Sequence, residues 1–426
     1  MQFFRIRTIM NMLVLAFALS ACSNNNNEPK EEMNHENMDH ENMEQNTDES
    51  SKGNASQDKM VATPPSEFND NAASNLMVSN TKNVTRLDTD DPIAMAVMVS
   101  QTVWASTHKE SQPGAVILAP VDNWAITLAS ADLIHHPNNG PILFMNKDGI
   151  PEISMNEIKR LNPTGNMNGV QIMVMGDVDD TVLASLKDYK VEQVKGSDAA
   201  TFAKDIDETY AKLTGSYPIS VIVGSLEDDA RLYTTPAIHW IAHMPEPILY
   251  VKKEEIPEAT KQALKERKNK ANIYVLGPES IVSKETEKAL SEYGKVTRIS
   301  GETPVSNSIE FAKFRDEEAK FGWGLQDSGH GISIISLSTP DLALAGAPFA
   351  HLGKHAPMIW TDGELTQEHY DFFATIKPMF KDNPTVGPYN HAFLLGNLNN
   401  IPFKTQGIID EQLEIVSEDG MGHGGH

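Results

Sequence analysis

Cysteine is nearly absent from this chain: one occurs in 426 residues, at position 22, so no internal disulfide can form. Basic residues are short as well. Thirty-five Lys and Arg stand against 59 Asp and Glu, a formal net charge of −24, which argues against a nucleic-acid partner. Beyond the first twenty residues no apolar run approaches the roughly 20 needed to span a bilayer as a helix. Catalytic signatures are missing too, with no nucleophile elbow, no His-Glu-x-x-His and no phosphate loop. The expectation is a protein that acts without catalysis and without a required cofactor.

What is present begins with Arg5 and Arg7, followed by an apolar run from Ile9 to Leu19 that closes on Leu19-Ser20-Ala21-Cys22. This has the form of a secretion signal, and the small residues before the thiol resemble a bacterial lipoprotein signal. Residues 1–21 are then a leader and Cys22 the site of lipidation, where two acyl chains hold a protein to a membrane far better than one. Residues 22–83 are acidic, rich in Asn, Glu and Ser and poor in aromatics. Such a composition cannot bury enough apolar surface to fold, and as a coil it reaches about 45 Å.

Within that tether Met33, His35, Met38, His40 and Met43 recur at short intervals, and His423 and His426 close the Gly-rich tail at 417–426. Thioether and imidazole together suit Cu(I) or Ag(I). A low-complexity linker is the other reading of the same residues.

Between tether and tail a pattern occurs three times. Ala115-Val-Ile-Leu-Ala119, Pro141-Ile-Leu-Phe144 and Val170-Gln-Ile-Met-Val-Met-Gly176 are matched by Ile219-Ser-Val-Ile-Val-Gly224, Pro247-Ile-Leu-Tyr250 and Ala271-Asn-Ile-Tyr-Val-Leu-Gly277. The third set is Ile332-Ser-Ile-Ile-Ser336, Pro357-Met-Ile-Trp360 and Ala392-Phe-Leu-Leu-Gly396. Continuous apolar runs are the mark of strands buried on both faces. Helix-like segments separate them, among them Asp122–Ile134, Pro151–Leu161, Thr234–Ile241 and Pro340–Leu352. The fold class is therefore α/β: three tandem units with parallel sheets, copies at 84–193, 194–297 and 298–416, each about 105 residues and able to bury its own core.

Each copy also carries an opening strand and helix, at Thr85-Arg86-Leu87-Asp88, Val194-Lys195-Gly196-Ser197 and Thr297-Arg298-Ile299-Ser300-Gly301-Glu302. Together with the Pro-led and Gly-ending strands, these resemble the type 2 cell wall-binding repeat of Gram-positive surface proteins. The resemblance implies three α/β copies around a pseudo-threefold axis that hold noncovalently to anionic wall polymer. It also implies a location on the outer face of the membrane, reaching into the wall, for a monomer anchored through Cys22. The first two openings depart from the family pattern, the second being shortened, and Asp88, Asp90, Ser197 and Ser308 are candidate helix N-caps.

An acidic body needs a local basic patch, or a bridging divalent cation, to hold such a polymer. Arg86, Arg298, Lys252, Lys253 and Trp323 are the candidate polymer contacts, with Lys261, Lys265, Arg267 and Lys268 extending the basic run. The competing reading is an envelope copper- or silver-binding lipoprotein with the repeats as scaffold. Finally, His135 and His136, His239 and His243, and His351 and His355 each precede the Pro-led strand of their own copy. If the copies converge, so do the imidazoles, as a metal or pH-sensitive site.

Overall fold

The computed structural model describes residues 62–69 and 71–418. The leader, Cys22, the Met/His tandem and the C-terminal His423 and His426 lie outside the described residues. Within them the strands are β1 Val84–Leu87, β2 Val116–Pro120, β3 Ile142–Met145, β4 Ile172–Met175, β5 Val191–Val194, β6 Ser220–Ser225 and β7 Ile248–Val251. They continue as β8 Ala271–Leu276, β9 Gly294–Ile299, β10 Gly331–Ser336, β11 Met358–Thr361, β12 Met379–Phe380, β13 His391–Leu395 and β14 Val416–Ser417.

Three four-stranded sheets share one connectivity: β3-β2-β4-β5, β7-β6-β8-β9 and β11-β10-β13-β1, and β12 pairs separately with β14. Every strand pair in them is parallel. The central strands are buried but for Pro120, Asn272 and His391, as their apolar runs require. The α/β class with parallel sheets is thus the observed one.

The sheets are cut differently from the expected copies. The second and third opening strands, β5 and β9, straddle the 193/194 and 297/298 bounds and pair backwards, β5 beside β4 and β9 beside β8. The first opening strand, β1, pairs with β13 at the far end of the chain. The third sheet therefore takes its fourth strand from the start of the first copy. One apolar cluster runs through all three sheets, and a second, smaller one lies within the middle copy.

A recurrent side chain fastens the fourth strand of each sheet. The strands β4, β8 and β13 end at Gly176, Gly277 and Gly396, all at positive φ, a region costly for residues with a Cβ. Each glycine N–H donates to the last residue of the neighbouring opening strand, Val194, Ile299 and Leu87. Each glycine carbonyl accepts from the side chain one residue earlier: Gln193 Nε2 at 2.9 Å, Arg298 Nη1 at 2.7 Å and Arg86 Nη1 at 2.8 Å. The second opening is consequently full length, with Gln193 where the others have Arg.

Sequence and structure also part at three helices. Asp122–Ile134 is α-helical only over Trp124–Ser130, tightens to a 3-10 turn over Ala131–Leu133 and widens from Ile134 onward. The other two are divided by prolines, which lack a backbone donor. Thr234–Ile241 divides at Pro236, and Pro340–Leu352 at Pro348. The N-caps are Asp91, Asp198 and Thr303 rather than Asp88, Asp90, Ser197 or Ser308. Ser308 sits inside its helix and accepts from the Trp360 N–H.

Arg86 closes the two ends of the molecule on each other, bonding Gln406 Oε1 and the Ile401 carbonyl besides Gly396. Arg86→Ala leaves buried acceptors without donors and is expected to cost about 2–4 kcal/mol of stability. Arg86→Gln, which copies the first sheet's solution at Gln193, should lose clearly less. Urea denaturation of the two variants beside the parent tests the ranking.

Candidate functional site

The segments leading into β3, β7 and β11 meet where the three copies join, and they bring histidines from all three together. The His135 ring lies 4.2 Å from His136, 4.4 Å from His351 and 6.5 Å from His243, centroid to centroid. His243 in turn lies 4.6 Å from His355, with the two Nδ1 atoms 3.3 Å apart. His351 Nε2 is 3.0 Å from Asn139 Oδ1.

His239 does not join them. It is wholly buried, its Nδ1 on the Ala356 carbonyl at 2.9 Å. The helix bearing it ends at Ile241, so His243 lies in the turn beyond and the two share no helical face.

Burial sets the protonation of this junction. His351 is pushed down to about 3, first by loss of water and then by the neighbouring imidazoles of His135, His243, His136 and His355. Partial loss of water at its ring also lowers His355, although the residue is exposed, and full burial holds His239 at about 4. Each of these three stays neutral in the folded protein under conditions where the unfolded chain would begin to charge.

The platform under His243 is aromatic. Trp323 stacks on its ring at 5.3 Å and 10°, and Trp240 meets both edge-on, at 6.0 Å from His243 and 5.0 Å from Trp323. Trp240 is anchored by its Nε1–H, which donates to Glu246 Oε2 at 2.9 Å. Burial drives Glu246 up to about 7, against that hydrogen bond. Asp132, almost fully buried and without a hydrogen-bond partner on either oxygen, is also driven well up by burial and then by Asp207 and Glu246.

The polymer contacts expected from sequence are scattered. Arg86 is buried in the closure between the chain's two ends. Arg298 is tied to Glu287 and to the Gly277 and Val282 carbonyls. Trp323 is half-buried under His243, which removes it as an open stacking face. Lys252 is exposed and paired with Glu255 at 3.4 Å, and the Lys253 carbonyl accepts from Ser283 and Thr286. The basic run they begin is broken at Arg267, buried against Asp207.

Arg298 does border a cleft of about 480 Å³ together with Lys313, Arg315, Glu310 and Gln326. Lys313 pairs with Glu310 at 3.0 Å, and Arg315 with Glu317 at 3.4 Å and the Gly322 carbonyl at 3.0 Å. Three cations face one carboxylate along the cleft wall. Sequence reasoning missed Lys313 and Arg315; the available signal was two basic residues flanking Phe314 at a helix C-terminus, shortly after Arg298. A second cleft, of about 500 Å³, lies between the helices Pro92–Val103 and Glu152–Leu161, where Arg160 and the buried Glu157 form an ion pair at 2.7 Å.

Glu246 gives a pH signature. Its folded pKa exceeds the unfolded value near 4.3, so the stability it contributes is complete below about pH 4 and is lost as pH rises through about 7. Glu246→Gln keeps an acceptor for Trp240 and removes the ionisation. The melting temperature of the variant relative to the parent should therefore climb between about pH 5 and about pH 8; a pH-independent difference would show that Glu246 is ionised in the folded state throughout.

No family model and no curated protein matches the chain. Solved structures do share its fold. Cwp6 from Clostridium difficile superposes with a TM-score of 0.59 at 18% identity, covering 80% of this chain and 50% of that one. Cwp8 from Clostridium difficile gives 0.60 at 20% identity, covering 78% of this chain and 52% of that one. This chain thus spans about half the length of each, and at such identity the likeness is one of fold.

Proposed function

We propose that this is a surface protein whose three-sheet module holds an anionic polymer of the cell wall, acting by binding rather than by catalysis. The observation that carries the reading is the threefold pattern itself. The strand motifs that resemble the type 2 cell wall-binding repeat fold into three sheets of one connectivity, in a fold shared with Cwp6 and Cwp8. The cleft of Arg298, Lys313 and Arg315 gathers three cations that an anionic polymer would engage in competition with their carboxylate partners Glu287, Glu310 and Glu317. Lipid on Cys22 and the tether of residues 22–83 would add a membrane attachment, so that one chain bridges membrane and wall.

The test is retention of the full chain carrying Cys22→Ala on purified walls, before and after acid stripping of anionic polymer, with and without divalent cations. Retention that disappears on stripping is expected. Lys313→Glu combined with Arg315→Glu should reduce it severalfold and blunt its salt dependence. In cells, Cys22→Ala should release the protein from membranes while leaving it on washed walls. Absence of retention under every condition would remove the wall reading.

A further inference from the structure

The histidine junction contains a pair of ring nitrogens spaced for a shared ion. His243 Nδ1 and His355 Nδ1 face each other at 3.3 Å across the boundary between the second and third copies. That is long for a hydrogen bond, N–H···O bonds running from about 2.7 to 3.2 Å, and it matches the about 3.3–3.4 Å between two nitrogens bound tetrahedrally to one Zn2+ at about 2.0–2.1 Å.

The two rings are held from independent directions. His243 lies under the stacked indole of Trp323. His355 is exposed and follows Lys354 in a turn where both residues take left-handed backbone, φ 65° and 52°, a conformation costing of order 1 kcal/mol or more for such side chains. The contact is open to solvent, so an ion could reach it without unfolding. Among the described residues no three His, Cys, Asp or Glu side chains already stand in coordinating positions. The site is accordingly a two-imidazole chelate completed by water, with the His135 ring 6.5 Å from His243 as its nearest reserve.

We propose that His243 and His355 bind one divalent transition-metal ion of the imidazole-preferring kind, Zn2+, Ni2+ or Cu2+, through their Nδ1 atoms, and so pin the second copy to the third. This site is separate in place from the Met/His tandem of the tether, and separate in chemistry because it offers no thioether. It is also independent of wall binding.

Ni2+ is the probe, because a paramagnetic ion quenches indole emission at short range and both Trp323 and Trp240 touch the His243 ring. Titrating the full chain carrying Cys22→Ala, with the tether and tail histidines His35, His40, His423 and His426 changed to Ala, should give saturable quenching with a micromolar midpoint. Zn2+ should reverse it. His355→Ala, a change at an exposed side chain, should weaken binding at least tenfold, with His355→Gln as a second variant of closer shape. Quenching that is unchanged in both variants, or that fails to saturate below millimolar Ni2+, would overturn the assignment.

Discussion

The structure depends on a strand that the third sheet takes from the start of the module. The first two sheets end on β5 and β9, the strands that follow β4 and β8 in the chain, whereas the third ends on β1. Parallel strands buried on both faces leave no room for an unpaired inner edge, since a bare row of backbone donors and acceptors would be costly. The closure of β1 on β13 therefore couples the first and last described segments as firmly as neighbours in sequence. Lys82 and Asn83 add contacts to Glu414 and Asp410 at the same seam. The third sheet is therefore incomplete without the first strand of the module.

Much of this was legible in the sequence. Strand positions emerged to within a residue or two because fully buried parallel strands write themselves as unbroken apolar runs, and the closing glycines mark a backbone turn that other residues resist. The destination of the opening strands was not legible. A strand such as Val191–Val194 carries the same local signal whichever sheet it joins, and only the register with β4 decides. The site was legible in part. The three histidine groups stood at matching places in the pattern, and convergence of the copies brought five of the six together. Which histidine would leave, His239, was set by the end of its helix at Ile241, which keeps His239 buried on the Ala356 carbonyl and leaves His243 in the turn beyond. The surface cations were misjudged because an Arg in a strand looks the same whether it reaches solvent or a buried carbonyl.

The repeats differ most usefully at positions where the scaffold repeats most faithfully. The third residue of β3, β7 and β11 is Phe144, Tyr250 and Trp360. Tyr250 reaches the Ala125 carbonyl in the first copy at 2.6 Å, and Trp360 the Leu232 carbonyl in the second at 2.8 Å. Phe144 has no polar atom with which to do the same. The carbonyls of these three residues are each met by a side chain from the following helix, Ser154, Thr260 and His369. One geometric need within each copy is thus answered by different chemistries, and two of the three pairs of copies acquire a lock of their own.

That divergence bears on where function can arise. A junction of three copies is the one place where a single repeated position is presented several times at close range, so a change there has consequences a surface change lacks. Here the junction is built from imidazoles, kept neutral where the structure buries them, and backed by a Trp240–Glu246 anchor that only the second copy possesses. The cleft beside Arg298 has a different origin: it is lined by residues of the third copy alone, from its opening strand and helix, and its three cations each sit beside a carboxylate, so an anion held there must compete with Glu287, Glu310 and Glu317. The histidine junction, by contrast, draws on all three copies, and no single copy contains it.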